Sequence, residues 1–269
     1  MTLKKVEKMY LIKFVESKLY RIRGFMHPTD AFAFAGILSN QADRSIKGML
    51  VEIGVFYGRS FSLLALHAKA SGSVAVGIDL FDIAGQQSYV DNILAKLDVA
   101  SSAAIIAQPS ESVGAEGLVS QYKKARFFHI DGGHERHHLL ADLGLAMHVM
   151  SDDCVVVFDD FMNAQYPDLS VAIIDSIQEH SESLVPFAIT RAKLYTCNPR
   201  MKEMYMEALL NSMRPPGSHI DKFSFLGSEI LFIDQRVKER AIFQAFAAAG
   251  IGSVARSFTA KSSLGFTRQ

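Results

Sequence analysis

Residues 49–60 read MLVEIGVFYGRS: an apolar run carrying the acidic Glu52, then Gly54 and Gly58, before helical periodicity begins at Phe61. This is the pattern of a strand, a tight turn and a helix start. Glycine takes positive φ without steric cost and lets the backbone approach a ligand, while the free N–H groups of the new helix face the same point. Such a corner suits a polar or anionic small molecule. The third glycine of GxGxxG is missing and no GK[ST] follows, so neither the dinucleotide signature nor the phosphate loop is present. An acidic residue at the strand's end also disfavours a phosphate there.

Beyond this corner, apolar runs alternate with helical patterns. Strands are expected near residues 48–53, 74–79, 103–107, 126–131, 154–159, 188–196 and 229–234. That alternation implies an α/β fold with right-handed crossovers and a mainly parallel sheet, whose ligands sit beyond the strands' carboxyl ends. Ahead of the core, Val6, Tyr10, Phe14, Leu19 and Tyr20 recur at near-helical spacing over residues 5–23. A second helix is expected over 29–41, with Thr29 or Asp30 as its cap after Pro28. The expected organisation is an N-terminal helical cap over 1–47, a core over 48–235, and a C-terminal helix and tail over 236–269. Residues 200–225, broken by Pro215-Pro216-Gly217, read as an insertion or lid, and residues 257–269 as an extended arm or a disordered segment.

Composition excludes several classes of partner. Lysine plus arginine equals aspartate plus glutamate at 28 each, so nothing global recruits nucleic acid. No apolar run approaches the roughly 18 residues that span a bilayer, and the N-terminal MTLKKVEKMYLIKF lacks the apolar core of a signal peptide. Cys154 and Cys197 give neither a metal spacing nor a disulfide framework. A cytoplasmic protein acting on a small molecule is expected, with no nucleic-acid or membrane partner. Phe243, Phe246 and the N-terminal aromatics suggest a self-association surface, hence a homo-oligomer.

The spacing Glu52-x-Gly54-x-x-x-Gly58-x-Ser60 resembles the first motif of class I S-adenosylmethionine-dependent methyltransferases. The resemblance implies a Rossmann-like, doubly wound, seven-stranded and mostly parallel sheet with an antiparallel edge hairpin, plus N-terminal helices. Asp79, ending the second strand in VAVGIDLF, would then accept hydrogen bonds from a ribose diol; the alternative is an aspartate that caps the next turn. Gln108 and Ser110 of AQPS would touch the adenine. Tyr57 and Arg59 would reach the cofactor's carboxylate end, the alternative being a surface role, while Asp82 reads as solvent-facing or a cap.

The densest stretch is FFHIDGGHERHHLLADL, residues 127–143, joined later by VVVFDDF. Strands deliver Asp131, and then Asp159 and Asp160, to the sheet's carboxyl edge. Three carboxylates left unpaired there would repel one another, so a proton or a cation must intervene. A hard divalent ion with oxygen ligands, Mg²⁺ above all, suits them. IDGGH followed by an acidic pair resembles the bacterial macrocin-type, metal-dependent sugar O-methyltransferases. That resemblance implies Mg²⁺ on Asp131, Asp159 and Asp160 and His134 as general base, with Asp131 shared between catalysis and cofactor. The pair is Asp-Asp here, where those enzymes often carry Glu-Asp. The readings without a metal are that Asp131 caps the GGH turn and His134 pairs with a carboxylate. His137 and His138 read as exposed or as lining a substrate mouth, and His129 as a buried strand histidine.

The expected activity is methyl transfer from S-adenosylmethionine to a hydroxyl of a small sugar or polyketide-type metabolite, with Mg²⁺ assistance. A metal-independent N- or phenolic O-methyltransferase and a non-catalytic cofactor-binding scaffold are the alternatives.

Overall fold

The computed structural model describes residues 3–255. Nine strands form one sheet: β1 Met49–Ile53, β2 Ala75–Asp79, β3 Ala103–Ala107, β4 Ala125–Ile130, β5 Met150–Phe158, β6 Val185–Ile189, β7 Leu194–Cys197, β8 Ser218–Phe225 and β9 Ser228–Gln235. Their order is β3-β2-β1-β4-β5-β7-β6-β9-β8. Strands β1 to β5 are parallel, β7 runs antiparallel between β5 and β6, β9 is parallel to β6, and β8 closes the edge antiparallel to β9.

Two helical layers cover the sheet. Leu50, Phe127, Val155 and Val157 face α1 Leu3–Ser17, α2 Pro28–Asp43, α3 Arg59–Ser71 and α4 Gln86–Lys96. Alternate residues Val51, Phe128, Val156 and Phe158 face α5 Ala115–Tyr122, α6 Arg136–Val149 and α7 Pro167–Glu179. The central strands are therefore apolar on both faces, as a covered parallel sheet demands. The last helices, α8 Lys202–Leu210 and α9 Val237–Ala248, join the first layer.

The α/β architecture matches expectation, but the sheet has nine strands instead of seven. Residues 188–196 are not one strand: Thr190 N–H donates to the Lys193 carbonyl at 2.9 Å, the chain reverses, and β7 slots in between β6 and β5. Within 200–225, residues after α8 form β8, which pairs with β9 along its length and makes the edge hairpin.

Helix α2 corrects a second expectation. His27 is its N-cap and Pro28 its first residue, whereas the Asp30 carboxylate turns inward and accepts from Thr190 Oγ1 at 2.5 Å and Tyr195 OH at 2.7 Å. At the other end, Gln41 donates to the Arg126 carbonyl at 2.7 Å and accepts from the Arg126 guanidinium at 2.8 Å. Polar contacts thus hold α2 to the sheet at both ends. Of the aromatics read as a self-association surface, Phe243 is fully buried against Tyr20 and Phe32, Phe246 packs partly buried on the same core, and Tyr10 is half-exposed. The arm expected over residues 257–269 lies outside the described residues. Among the described residues, no helix is long and apolar enough to cross a membrane.

Candidate active site

Strand register assembles the site. The pairs Ile53↔Ile130, Ile130↔Phe158 and Phe158↔Leu194 bring the adjoining residues Gly54, Asp131, Asp159 and Lys193 into one row across four strand ends. One row deeper on the same face lie Glu52, His129, Val157 and Tyr195. A cavity of about 960 Å³ opens over this edge, at the large end of the roughly 300–1,000 Å³ of ligand pockets.

One half of the cavity is built on the glycine turn that follows β1. Gly54 has φ 85°, and a β-carbon there would lie 1.8 Å from the Asp131 carbonyl oxygen, so only glycine lets the tips of β1 and β4 meet. Asp79 accepts from the Phe56 N–H and the Phe81 N–H, both at 2.7 Å. It therefore does cap the neighbouring turns, yet each oxygen has a second lone pair to offer and Asp79 lines the cavity. Gln108, Ser110 and Asp82 line the same half. Asp142, from α6, was not anticipated. It is 1% exposed, accepts from Ser110 Oγ at 2.5 Å, and burial pushes its carboxyl up to about 6.

Residues 24–27 form the roof. Phe25 is 84% exposed and stacks on Phe56, with ring centroids 5.9 Å apart. Beneath it, the Arg23 guanidinium covers the Tyr57 ring at 3.6 Å. Arg59 donates to the Ile22 carbonyl at 2.8 Å, which ties α3 to this roof.

The other half holds the charges. His134 Nε2 lies 2.8 Å from Asp160 Oδ2, and Asn163 donates to Asp160 Oδ1 at 2.8 Å. An ionised carboxylate only accepts, so Nε2 carries the proton and Nδ1 is left as the accepting nitrogen. The His134 ring stacks on Tyr166 at 3.9 Å. Asp160 reaches this position through a left-handed backbone, φ 52°, with its own N–H donating to Asp159 Oδ1 at 2.8 Å.

Deeper in, Lys193 is 2% exposed. Its ammonium donates to Asp159 Oδ2 at 2.5 Å and to His129 Nε2 at 2.8 Å. Burial and the neighbouring Asp159 charge push the Asp131 carboxyl well above the carboxylate range. Burial also works against the charge on Asp159, but Lys193 holds that group well below the range. Glu52 is fully buried, with Oε1 accepting from Ser60 Oγ at 2.6 Å and Oε2 lying 3.7 Å from His129 Nδ1.

Of the expected cofactor residues, Gly54, Ser60, Asp79, Gln108, Ser110 and Asp131 line the cavity. Glu52, Tyr57 and Gly58 are not in its lining: Glu52 sits beneath Ser60, Tyr57 is packed under Arg23, and Gly58 starts α3 against Val90. His138 lines the cavity, whereas His137 lies outside it. The expected Mg²⁺ set does not form. Among the described residues, two groups bring three ligand atoms close enough to share one ion: His129, Asp131 and Asp159 at the strand ends, and Glu135, His137 and His138 at the start of α6; Asp160 is instead turned to His134 and Asn163. Lys193 already fills the contact between Asp159 and His129, so these residues do not fit the ion. Asp142 and Lys193 carry no signal in the sequence, because their neighbourhoods read as ordinary helix and strand, and Asp30 reads there only as a helix cap.

Residues 51–161 match the family model described as a methyltransferase domain. The chain carries such a domain and is an enzyme of the methyltransferase class. Among solved structures, it is similar to the O-methyltransferase NovP, at 13% identity over 72% of this chain and 99% of that one, with a TM-score of 0.54. Weaker likenesses, TM-score 0.47 for both, are to CalS11, a TDP-rhamnose 3'-O-methyltransferase of calicheamicin biosynthesis (17% identity, 71% and 92% covered), and to SAH-bound PaMTH1 of Podospora anserina (9%, 73% and 88%). The likeness to NovP is one of fold. A comparison with curated proteins returned no match.

Proposed function

We propose that the protein transfers a methyl group from S-adenosylmethionine to a hydroxyl of a small hydroxylated metabolite, of sugar or polyketide type. The observation that carries this reading is the His134–Asp160 pair at 2.8 Å, placed in the same cavity as the Gly54–Asp79 corner of a methyltransferase domain. A nucleoside fits that corner: the bare Gly54 turn admits close approach, Asp79 offers free lone pairs to a ribose diol, and Ser110 with Asp142 supplies polar partners for the base.

The bound cofactor supplies an electrophilic methyl group and a neutral leaving group. The chain's own task is to align the acceptor, exclude water and remove a proton. His134 Nδ1 takes the hydroxyl proton as the new O–C bond forms, and Asp160 stabilises the resulting imidazolium through the Nε2–H it already accepts. Residues 24–27 line the same cavity and border the cofactor's corner. No step here runs through a divalent ion.

The test is methyl transfer by His134→Ala against a panel of hydroxylated metabolites. Turnover should fall by about 10²–10⁴-fold, the worth of a positioned general base, with affinity for the demethylated cofactor unchanged. Undiminished turnover would remove His134 from the chemistry and with it the support for a hydroxyl acceptor.

A further inference from the structure

The aspartates at the carboxyl edge need a counter-charge, and the fold supplies one from within. Register places Lys193 directly beside Asp159, because β7 runs antiparallel to β5 with Leu194 opposite Phe158. The turn that ends β6 holds it there: Thr190 N–H donates to the Lys193 carbonyl at 2.9 Å, and Lys193 N–H donates to Thr190 Oγ1 at 3.2 Å. The loop after β5 is tied to the same turn, since Phe161 N–H donates to the Ala192 carbonyl at 3.0 Å.

We infer that the Lys193 ammonium takes the place a divalent cation would hold among Asp131, Asp159 and His129, so that this site works without metal. The inference rests on the methyltransferase reading for its catalytic meaning, but not for its geometry. An ammonium has donors only, so His129 Nε2 must accept and its Nδ1–H is left facing Glu52. A metal at the same point would need that lone pair and the Asp159 oxygen, both already engaged by Lys193 at 2.8 and 2.5 Å. With two of its donors spent and Lys193 itself lining the cavity, the ammonium keeps a third N–H. That donor serves an acceptor's oxygen as negative charge develops on it, which is the electrostatic work otherwise done by an ion.

The experiment is titration of Mn²⁺, followed by electron paramagnetic resonance, into the native protein and into Lys193→Ala, with thermal melts in MgCl₂ alongside. The native protein should leave the free Mn²⁺ signal undiminished and show no rise in Tm with MgCl₂. Lys193→Ala opens the vertex and leaves two carboxylates and an imidazole within reach of one ion. It should therefore quench the signal stoichiometrically and gain Tm in MgCl₂, while Lys193→Ala/Asp159→Asn loses both effects. Stoichiometric binding by the native protein, or a folded Lys193→Ala that stays blind to both ions, would overturn the inference. Should Lys193→Ala not fold, the native titration alone decides. Failure to bind S-adenosylmethionine would instead defeat the functional reading and leave the Mn²⁺ result standing.

Discussion

Asp142 shows how one side chain records its surroundings. Its carboxyl is buried with Ser110 as its hydrogen-bond donor, and burial raises it from 3.8 to about 6. A carboxyl raised in the folded state binds its proton there at pH values where the unfolded chain has released it. Its contribution is full below about pH 4, the unfolded value, and is lost as pH climbs through the folded one. Asp142→Asn keeps an oxygen for Ser110 and removes the charge. The variant should match the native protein near pH 4 and exceed it above about pH 6, by up to about 3 kcal/mol at 1.4 kcal/mol per unit. Urea unfolding at both ends of that range checks the sign; a gap independent of pH would contradict it. Gly54 and Asp142 also mark two extremes of what a sequence discloses. The glycine announces itself because no other residue fits where β1 meets β4. An aspartate on α6 looks like any polar helical residue until the helix is docked.

Among elements, the β6–β7 turn has the largest consequence. Thr190 Oγ1 donates to Asp30 and accepts from the Lys193 backbone N–H at 3.2 Å, so one hydroxyl joins α2 to the turn that carries Lys193. Thr190→Val keeps the shape and loses the oxygen. It should lower stability by about 1–3 kcal/mol, the penalty of unsatisfied buried partners, read as an earlier urea midpoint; an unmoved midpoint would show that the turn stands without it. This same turn explains where the sequence reading stopped. Strand tips such as Asp79, Asp131 and Asp159 were legible because apolar runs end on acidic residues. The reversal inside AITRAKLYTC was not: its central Arg191 and Ala192 are not turn formers, and neither takes a positive φ. Reading 188–196 as one strand hid Lys193 and made a metal the natural neutraliser. Asp30 was obscured in a similar way, since an aspartate after proline at a helix start is ordinarily a cap.

At the scale of the molecule, function depends on a cavity fed by strand ends, the segment leading into α2 and the α6 start, drawn from residues far apart in the chain. The polar contacts at both ends of α2 bind the N-terminal helices into this assembly: Asp30 on the cavity side, Gln41 with Arg126 on the opposite side. Methyl transfer requires that the Gly54–Asp79 half receive an adenosyl group. The direct measurement is calorimetric titration of S-adenosylhomocysteine into the native protein, Asp79→Ala and His134→Ala. One site per chain is predicted, weakened roughly 10- to 100-fold by Asp79→Ala through the loss of charge-assisted hydrogen bonds, and unaltered by His134→Ala. No saturable heat, or an Asp79→Ala titration that overlays the native one, would contradict it.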